Sequence, residues 1–139
     1  MELSDALTFV ASHREGVLTT LRRDGRPQLS NILYLVGGGV IRISTTKSRA
    51  KTKNLGRDPR ASLYVVGENF WTYVVLDAAA ELSPVATDSH DAVVEDLVAM
   101  YREAQGEHPD WDEFRQAMVD DGRLVIRLHP EHAYGQLGQ

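Results

Sequence analysis

The chain contains no cysteine, which removes disulfides, thiolate metal sites and a cysteine nucleophile in one step. No apolar run approaches the ~20 residues of a bilayer-crossing helix, and the opening Met1-Glu2-Leu3-Ser4-Asp5 lacks the basic start of a secretory signal. The expectation is a soluble cytoplasmic domain with no membrane partner. Several chemical signatures are missing as well. Gly37-Gly38-Gly39 has neither the spacing of a dinucleotide fingerprint nor a helix behind it. There is no phosphate-loop lysine motif, no zinc-protease histidine pair and no Gly-x-Ser-x-Gly elbow. His129 and His132 are separated by Pro130 in β-like sequence, so no metal site is expected.

What is present is 139 residues with 42% apolar and 25% charged side chains. That suits one globular domain over 1–139 and rules out wholesale disorder. The net charge of -5 hides a strong segregation. Residues 42–60 hold seven cations (Arg42, Lys47, Arg49, Lys51, Lys53, Arg57, Arg60) against Asp58 alone, whereas residues 81–121 hold twelve acids against Arg102 and Arg115. The central segment is therefore a candidate anion site. One short basic stretch beside an acidic half is a poor footprint for nucleic acid, and none is expected.

Hydrophobic periodicity predicts a helix over 4–12, then strands over 16–21, 28–36 and 40–44 as a three-stranded meander turning at Asp24-Gly25 and at the triple glycine. Ser48 is the expected cap of a helix that Gly56 ends. Strands over 61–66 and 70–82 follow, the second running through Trp71, Thr72 and Tyr73. Val93, Val94, Leu97, Val98 and Tyr101 form a helical stripe, and Asp110 with Glu113 resembles a capping box before another helix. A strand over 124–128, a turn at His129-Pro130-Glu131 and an extension through Gly135 complete a mainly β chain. About six antiparallel strands with flanking helices point to a small barrel.

The main chemical signal is Ser44-Thr45-Thr46-Lys47-Ser48-Arg49-Ala50-Lys51-Thr52-Lys53-Asn54, where a strand end meets a helix start. Free N–H groups at a helix N-terminus, its dipole and fixed cations all favour a phosphate, and arginine grips phosphate bidentately. A solvated basic helix is the competing reading, and composition alone weighs the two evenly. Trp71-Thr72-Tyr73 reads either as a wall for a flat cofactor or, more commonly, as core.

Taken in order, several segments resemble one family: Gly16-Val17-Leu18-Thr19-Thr20, Asp24-Gly25-Arg26-Pro27-Gln28-Leu29-Ser30-Asn31, Arg49-Ala50-Lys51-Thr52-Lys53-Asn54-Leu55 and Arg57-Asp58-Pro59-Arg60-Ala61-Ser62. The likeness continues through Gly106-Glu107-His108-Pro109-Asp110-Trp111 and Arg115-Gln116-Ala117-Met118-Val119 to His132-Ala133-Tyr134-Gly135. These are similar to the flavin and deazaflavin oxidoreductases of the pyridoxamine 5'-phosphate oxidase-like split β-barrel superfamily, closest to the actinobacterial branch that binds the deazaflavin coenzyme F-420. The resemblance implies an FMN-binding-like split barrel and a homodimer with cofactor sites at the subunit interface. It implies that residues 44–54, with Ser44, Thr45, Thr46, Arg49, Lys51 and Asn54, hold the cofactor's phosphate and ring edge. Gln28, Ser30 and Asn31 match the strand flanking the ring. Trp71, Thr72 and Tyr73 match a segment reaching the site from the other subunit, and Arg123 matches a position near the phosphate and acidic tail. The Arg-x-His substrate motif of true pyridoxamine phosphate oxidases is absent near the C-terminus, which disfavours that activity.

The implied activity is hydride transfer between reduced deazaflavin and a small, conjugated organic substrate, with Lys51 and Tyr73 as candidate proton donors. FMN in the same fold and a non-enzymatic deazaflavin carrier are the alternatives. The cofactor carries the hard chemistry in such proteins, in keeping with the lack of any acid–base or nucleophile constellation.

Overall fold

Leu3, Leu7 and Val10 recur at helical spacing, and in the computed structural model, which describes residues 1–138, they lie on α1 (Leu3–Ala11) facing the core. The chain then enters β1 (Glu15–Leu21) and returns along β2 (Pro27–Leu33) after the turn at Asp24-Gly25. Gly25 takes a positive φ there and donates its N–H to the Arg22 carbonyl at 2.9 Å. A short β3 (Leu35–Gly37) pairs with β4 (Val40–Thr46) through Gly38 and Gly39, both at positive φ (59° and 77°). A two-residue turn with left-handed conformations at both positions matches the right-handed twist of a hairpin.

Helix α2 (Ala50–Arg57) leads to β5 (Arg60–Val66) and β6 (Tyr73–Leu82), and α3 (Ala92–Gln105) and α4 (Trp111–Asp120) lead to β7 (Arg123–Gln136). The sheet has seven strands in the order β2-β1-β5-β6-β7-β4-β3, with every pairing antiparallel. β2 and β3 follow one another in the chain but occupy opposite ends of that order, so the sheet curls until its ends meet as a half-barrel. Leu18, Ile41, Ile43, Leu63, Leu76, Ile126 and Leu128 fill the inside of the curl, closed by Ala6 and Val10. Across β7, Val125 faces the other way and packs with Leu35 against Val94, Leu97 and Val98 of α3. No helix among the described residues is long and apolar enough to cross a membrane.

The barrel architecture agrees with the sequence reading, while five local expectations are corrected. The strand expected over 28–36 breaks at Tyr34, whose N–H donates to the Arg14 carbonyl (2.9 Å) and whose buried hydroxyl donates to the Val10 carbonyl (2.7 Å). The expected meander becomes two hairpins on opposite ends of the sheet. Ser48 does not cap α2; its hydroxyl meets that of Thr46, Arg49 is the capping residue without a side-chain bond, and Gly56 lies inside the helix. Phe70, Trp71 and Thr72 precede β6 in a loop tied by Asn69, which accepts from the Trp71 N–H through its side chain and from the Thr72 N–H through its carbonyl. His129-Pro130-Glu131 is no turn: β7 runs straight on, with a bulge opposite Asp77 and Ala78 that absorbs the proline's missing donor. Asp110 does cap α4, accepting from the Glu113 N–H at 3.1 Å.

Two substitutions probe this frame. Tyr34→Phe removes one of the two donors to the Val10 carbonyl, leaving the His13 N–H at 3.1 Å, and should lower stability by ~0.5–1.5 kcal/mol, read as a lower urea midpoint at unchanged slope. Gly135 sits at φ 141°, and a Cβ there would lie 2.2 Å from the Tyr73 carbonyl oxygen. Gly135→Ala should therefore cost ~1–3 kcal/mol or more; a melting temperature equal to the wild type's would contradict the close approach.

Candidate functional site

β4 ends at Thr46 directly opposite Arg123, the first residue of β7. The turn before it is held by Gly122, at φ 64°, whose carbonyl accepts the Lys47 N–H at 2.9 Å. α2 starts three residues later, fastened by Thr52, which donates to the Thr46 carbonyl (2.8 Å) and meets the buried Thr45 hydroxyl at 3.1 Å. These bonds bring Arg49, Lys51 and Arg123 together from two distant parts of the chain. Burial, and after it the neighbouring charges of Arg49 and Arg123, push the Lys51 ammonium below the ordinary lysine range. The Arg123 Nε is buried without a hydrogen-bond partner: Asp121 stands 3.7 Å away, and only Nη1 reaches Ser44, at 3.4 Å. Three cations with so little counter-charge, beside the first-turn N–H groups of a helix, could hold an anion.

These cations line one end of a cavity of about 880 Å³, within the range of ligand sites. Ser30 to Leu35 border it on one side, β4 on another, and α3 and α4 cover it with Leu97, Met100, Tyr101, Phe114 and Met118. Tyr101 is braced by edge contacts to His108, Trp111 and Phe114 at centroid distances of 5.1, 5.6 and 5.1 Å. Three buried side-chain polar atoms lack a partner among the described residues: Ser30 Oγ, Arg42 Nε and Arg123 Nε. All three residues line this one cavity. Orphaned polar atoms are costly when buried, and here they are concentrated where a polar ligand would meet them.

Of the residues singled out in the sequence, Ser30, Asn31, Ser44, Thr45, Thr46, Arg49, Lys51 and Arg123 come together around the cavity. Gln28 and Asn54 are placed elsewhere. Buried Asn54 donates to Thr20 (3.1 Å) and accepts from Arg57 (3.0 Å), and Thr20 donates to Gln28 (2.7 Å), so these amides pin α2 to the β1–β2 hairpin. Trp71, Thr72 and Tyr73 lie outside this chain's cavity; Trp71 is exposed, and Tyr73 packs on Tyr64 at 5.7 Å. Lys51 is thus the one candidate proton donor lining the cavity within its own chain.

The cation island also divides. Arg42 is paired with Glu103, Arg57 with the Leu21 carbonyl and Asn54, and Arg60 with Asp58, whose carboxyl that hydrogen bond pulls down to about 2. The anion end is built from two members of the island plus Arg123. Sequence reasoning missed Arg14 and read the apolar positions of α3 as a helical stripe; no local signal distinguishes a cavity wall from core. His129 and His132 each sit beside a separate carboxylate, Glu81 (2.9 Å) and Asp77 (3.4 Å). The described residues contain no group of three or more potential metal ligands.

Comparison with known proteins places this architecture. A family model described as pyridoxamine 5'-phosphate oxidase matches residues 4–137. Among solved structures, a conserved hypothetical protein from Mycobacterium tuberculosis is similar at 27% identity, with a TM-score of 0.72 and coverage of 96% of this chain and 82% of that one. A structure titled F-420 reductase is 24% identical, with a TM-score of 0.64 and 88% and 90% of the two chains covered, a likeness of fold. A heme-binding protein from Mycobacterium smegmatis is 25% identical at a TM-score of 0.65; the match spans 99% of this chain and 55% of that one.

The electrostatics give a pH test with a definite sign. Lys51 loses its proton below the ordinary lysine value of 10.5, so its contribution to anion affinity is present below that lowered value and is lost as pH rises through it. Lys51→Ala should weaken binding of a phosphate ester by ~1.5–3 kcal/mol, the worth of a charged hydrogen bond. Lys51→Arg should remove the alkaline fall, since arginine stays charged. Calorimetric titration across pH reads both; a flat profile for the wild type would remove Lys51 from the anion end.

Proposed function

This chain belongs to the pyridoxamine 5'-phosphate oxidase family of split β-barrels, and on that premise we propose that it is a deazaflavin (coenzyme F-420)-dependent oxidoreductase acting on a small organic substrate. The observation that carries the reading is the cavity with a cationic end and an apolar body, in which Ser30, Arg42 and Arg123 keep unmet polar atoms. The donor set fits a phosphate joined to a flat ring. Arg49, Lys51 and Arg123 hold the phosphate, and Ser30, Asn31, Ser44 and Thr46 offer hydrogen bonds along the ring edge. Met100, Tyr101, Phe114 and Met118 exclude water from the reacting faces. When bound, a reduced deazaflavin supplies a hydride to an electron-poor carbon. Lys51 and Tyr73 are the candidate donors of the accompanying proton, alongside bulk water.

FMN carries the same phosphate and ring and would use the same cationic end, so it is the second reading; a carrier that binds without turnover is the third. A three-way titration separates them. Saturable binding of the deazaflavin at micromolar concentration, with weaker FMN binding and steady oxidation of the reduced cofactor by at least one enone or quinone acceptor, is the expected result. Tight FMN carried through purification would overturn the cofactor assignment. Binding with no turnover across a broad acceptor panel would leave the carrier. Methionine and tyrosine are known heme ligands and both line this cavity; a stoichiometric Soret shift on adding heme, lost in Met100→Leu or Tyr101→Phe, would overturn the flavin-type reading altogether.

The proposal includes a homodimer in which Trp71, Thr72 and Tyr73 of one subunit approach the cavity of the other. Its support is the exposure of four large apolar side chains, Leu29 and Leu33 on β2 and Phe70 and Trp71 in the loop before β6, at 58%, 71%, 70% and 66%. Leu33 and Val66 border a second, shallower cavity of about 370 Å³ together with Val17 and Tyr64. Large apolar side chains left this exposed around a cavity suit an interaction surface. Light scattering should report twice the chain mass, and Leu33→Asp should shift it to the monomer; a monomeric wild type at micromolar concentration would sink the dimer.

A further inference from the structure

The cavity has a second cationic end. Arg42 and Thr46 share one face of β4, and four residues of extended strand put them about 13 Å apart. Arg42 donates to Glu103 at 3.0 and 3.2 Å, and both bonds come from the same nitrogen, Nη2. Its Nε is buried and unpartnered. The side edge of the guanidinium, Nε with Nη2, is the edge that accepts a planar carboxylate in two parallel bonds, and Glu103 uses only half of it. Glu103 is also the looser partner: its side chain is 43% exposed, against 20% for Arg42.

The surroundings are shaped for the guanidinium. A Cβ on Gly37 would come within 3.0 Å of Arg42 Nη2, so the bare backbone keeps that space open. Arg14 lines the same cavity and reaches the Ala104 carbonyl at 3.3 Å, one residue along α3 from Glu103. The apolar side chains of Leu97, Met100 and Tyr101 on α3 line the same cavity.

We propose that Arg42, with Arg14 beside the same stretch of α3, forms a second anion subsite, which takes a carboxylate about 13 Å from the phosphate in exchange for Glu103. The ligand chemistry is an acid on the far side of an apolar body, carried either by the molecule that bears the phosphate or by a separate substrate. The inference rests on reading the cavity as a phosphate and ring site, and it narrows the substrates to those in which a carboxylate is present at one of these two positions.

The test compares biphenyl phosphate with the same molecule bearing a carboxylate at the opposite para position. In the native protein the carboxylate should tighten binding about ten-fold, as expected for a charged hydrogen bond. The gain should grow in Glu103→Gln, where the competing charge is gone and Arg42 remains in place, and should vanish in Arg42→Gln. A second arm adds benzoate to protein saturated with inorganic phosphate. Arg42-dependent benzoate binding there, without a gain for the tethered acid, places the carboxylate on a separate molecule. If biphenyl phosphate binds in a Lys51-dependent way and neither carboxylate adds Arg42-dependent affinity, the subsite is refuted while the phosphate end stands. If biphenyl phosphate does not bind at all, both readings fall.

Discussion

Residues 33–35 join two strands that occupy opposite ends of a seven-stranded order. A connection that short cannot cross a flat sheet: at ~4.8 Å between neighbouring strands, six spacings would need close to 29 Å. The sheet must therefore curl until β2 and β3 approach each other, and the interior of the curl becomes the core of Leu18, Ile43, Leu63, Leu76 and Ile126. Tyr34 holds the seam by tying its backbone to Arg14 and its hydroxyl to the end of α1. The hydroxyl's burial pushes its ionisation far above the ordinary tyrosine value, so it stays a neutral donor at any physiological pH. Register, core and cavity follow from this closure, because the cavity lies along the seam between residues 30–35 and β4.

The same geometry explains the distribution of charge. Acidic α3 crosses over β4 and β7, and its carboxylates neutralise the cations they can reach: Glu103 meets Arg42, and Asp96 meets Arg127. Arg49, Lys51 and Arg123 lie beyond that reach. Their mutual repulsion and the burial of Lys51 cost free energy that an anion, if bound there as proposed, would return. A net charge of -5 is thus compatible with a locally cationic pocket, since the field at a partly buried site depends on neighbours within a few ångströms and little on the total. The apolar wall of α3 and α4 raises the effect further by lowering the local dielectric.

Much was legible in the chain because it depended on local chemistry. Alternation at Ile41 and Ile43, the Asp24-Gly25 turn, the triple glycine and the Asp110 cap each specify geometry within a few residues, and each appears where the pattern puts it. The misreadings share one cause, a tertiary contact outweighing a local preference. Tyr34 is a good strand residue, yet two carbonyls from α1 and its exit break the strand there. Pro130 suits a turn, yet pairing with β6 carries β7 through it as a bulge. Trp71 and Thr72 suit a strand, yet Asn69 folds them into a loop.

The candidate site divides along the same line. Sequence alone determined a mainly antiparallel β architecture and a basic strand-to-helix junction, because alternation, turn residues and charge clustering are properties of neighbours in the chain. Tertiary structure alone decided which cations the acids of α3 reach, that Asn54 and Gln28 serve the frame, that Arg123 joins Arg49 and Lys51, and that α3 and α4 form the cavity's wall. Those outcomes turn on which long side chains come within about 3–4 Å after the sheet has curled, and sequence separation carries no measure of that distance.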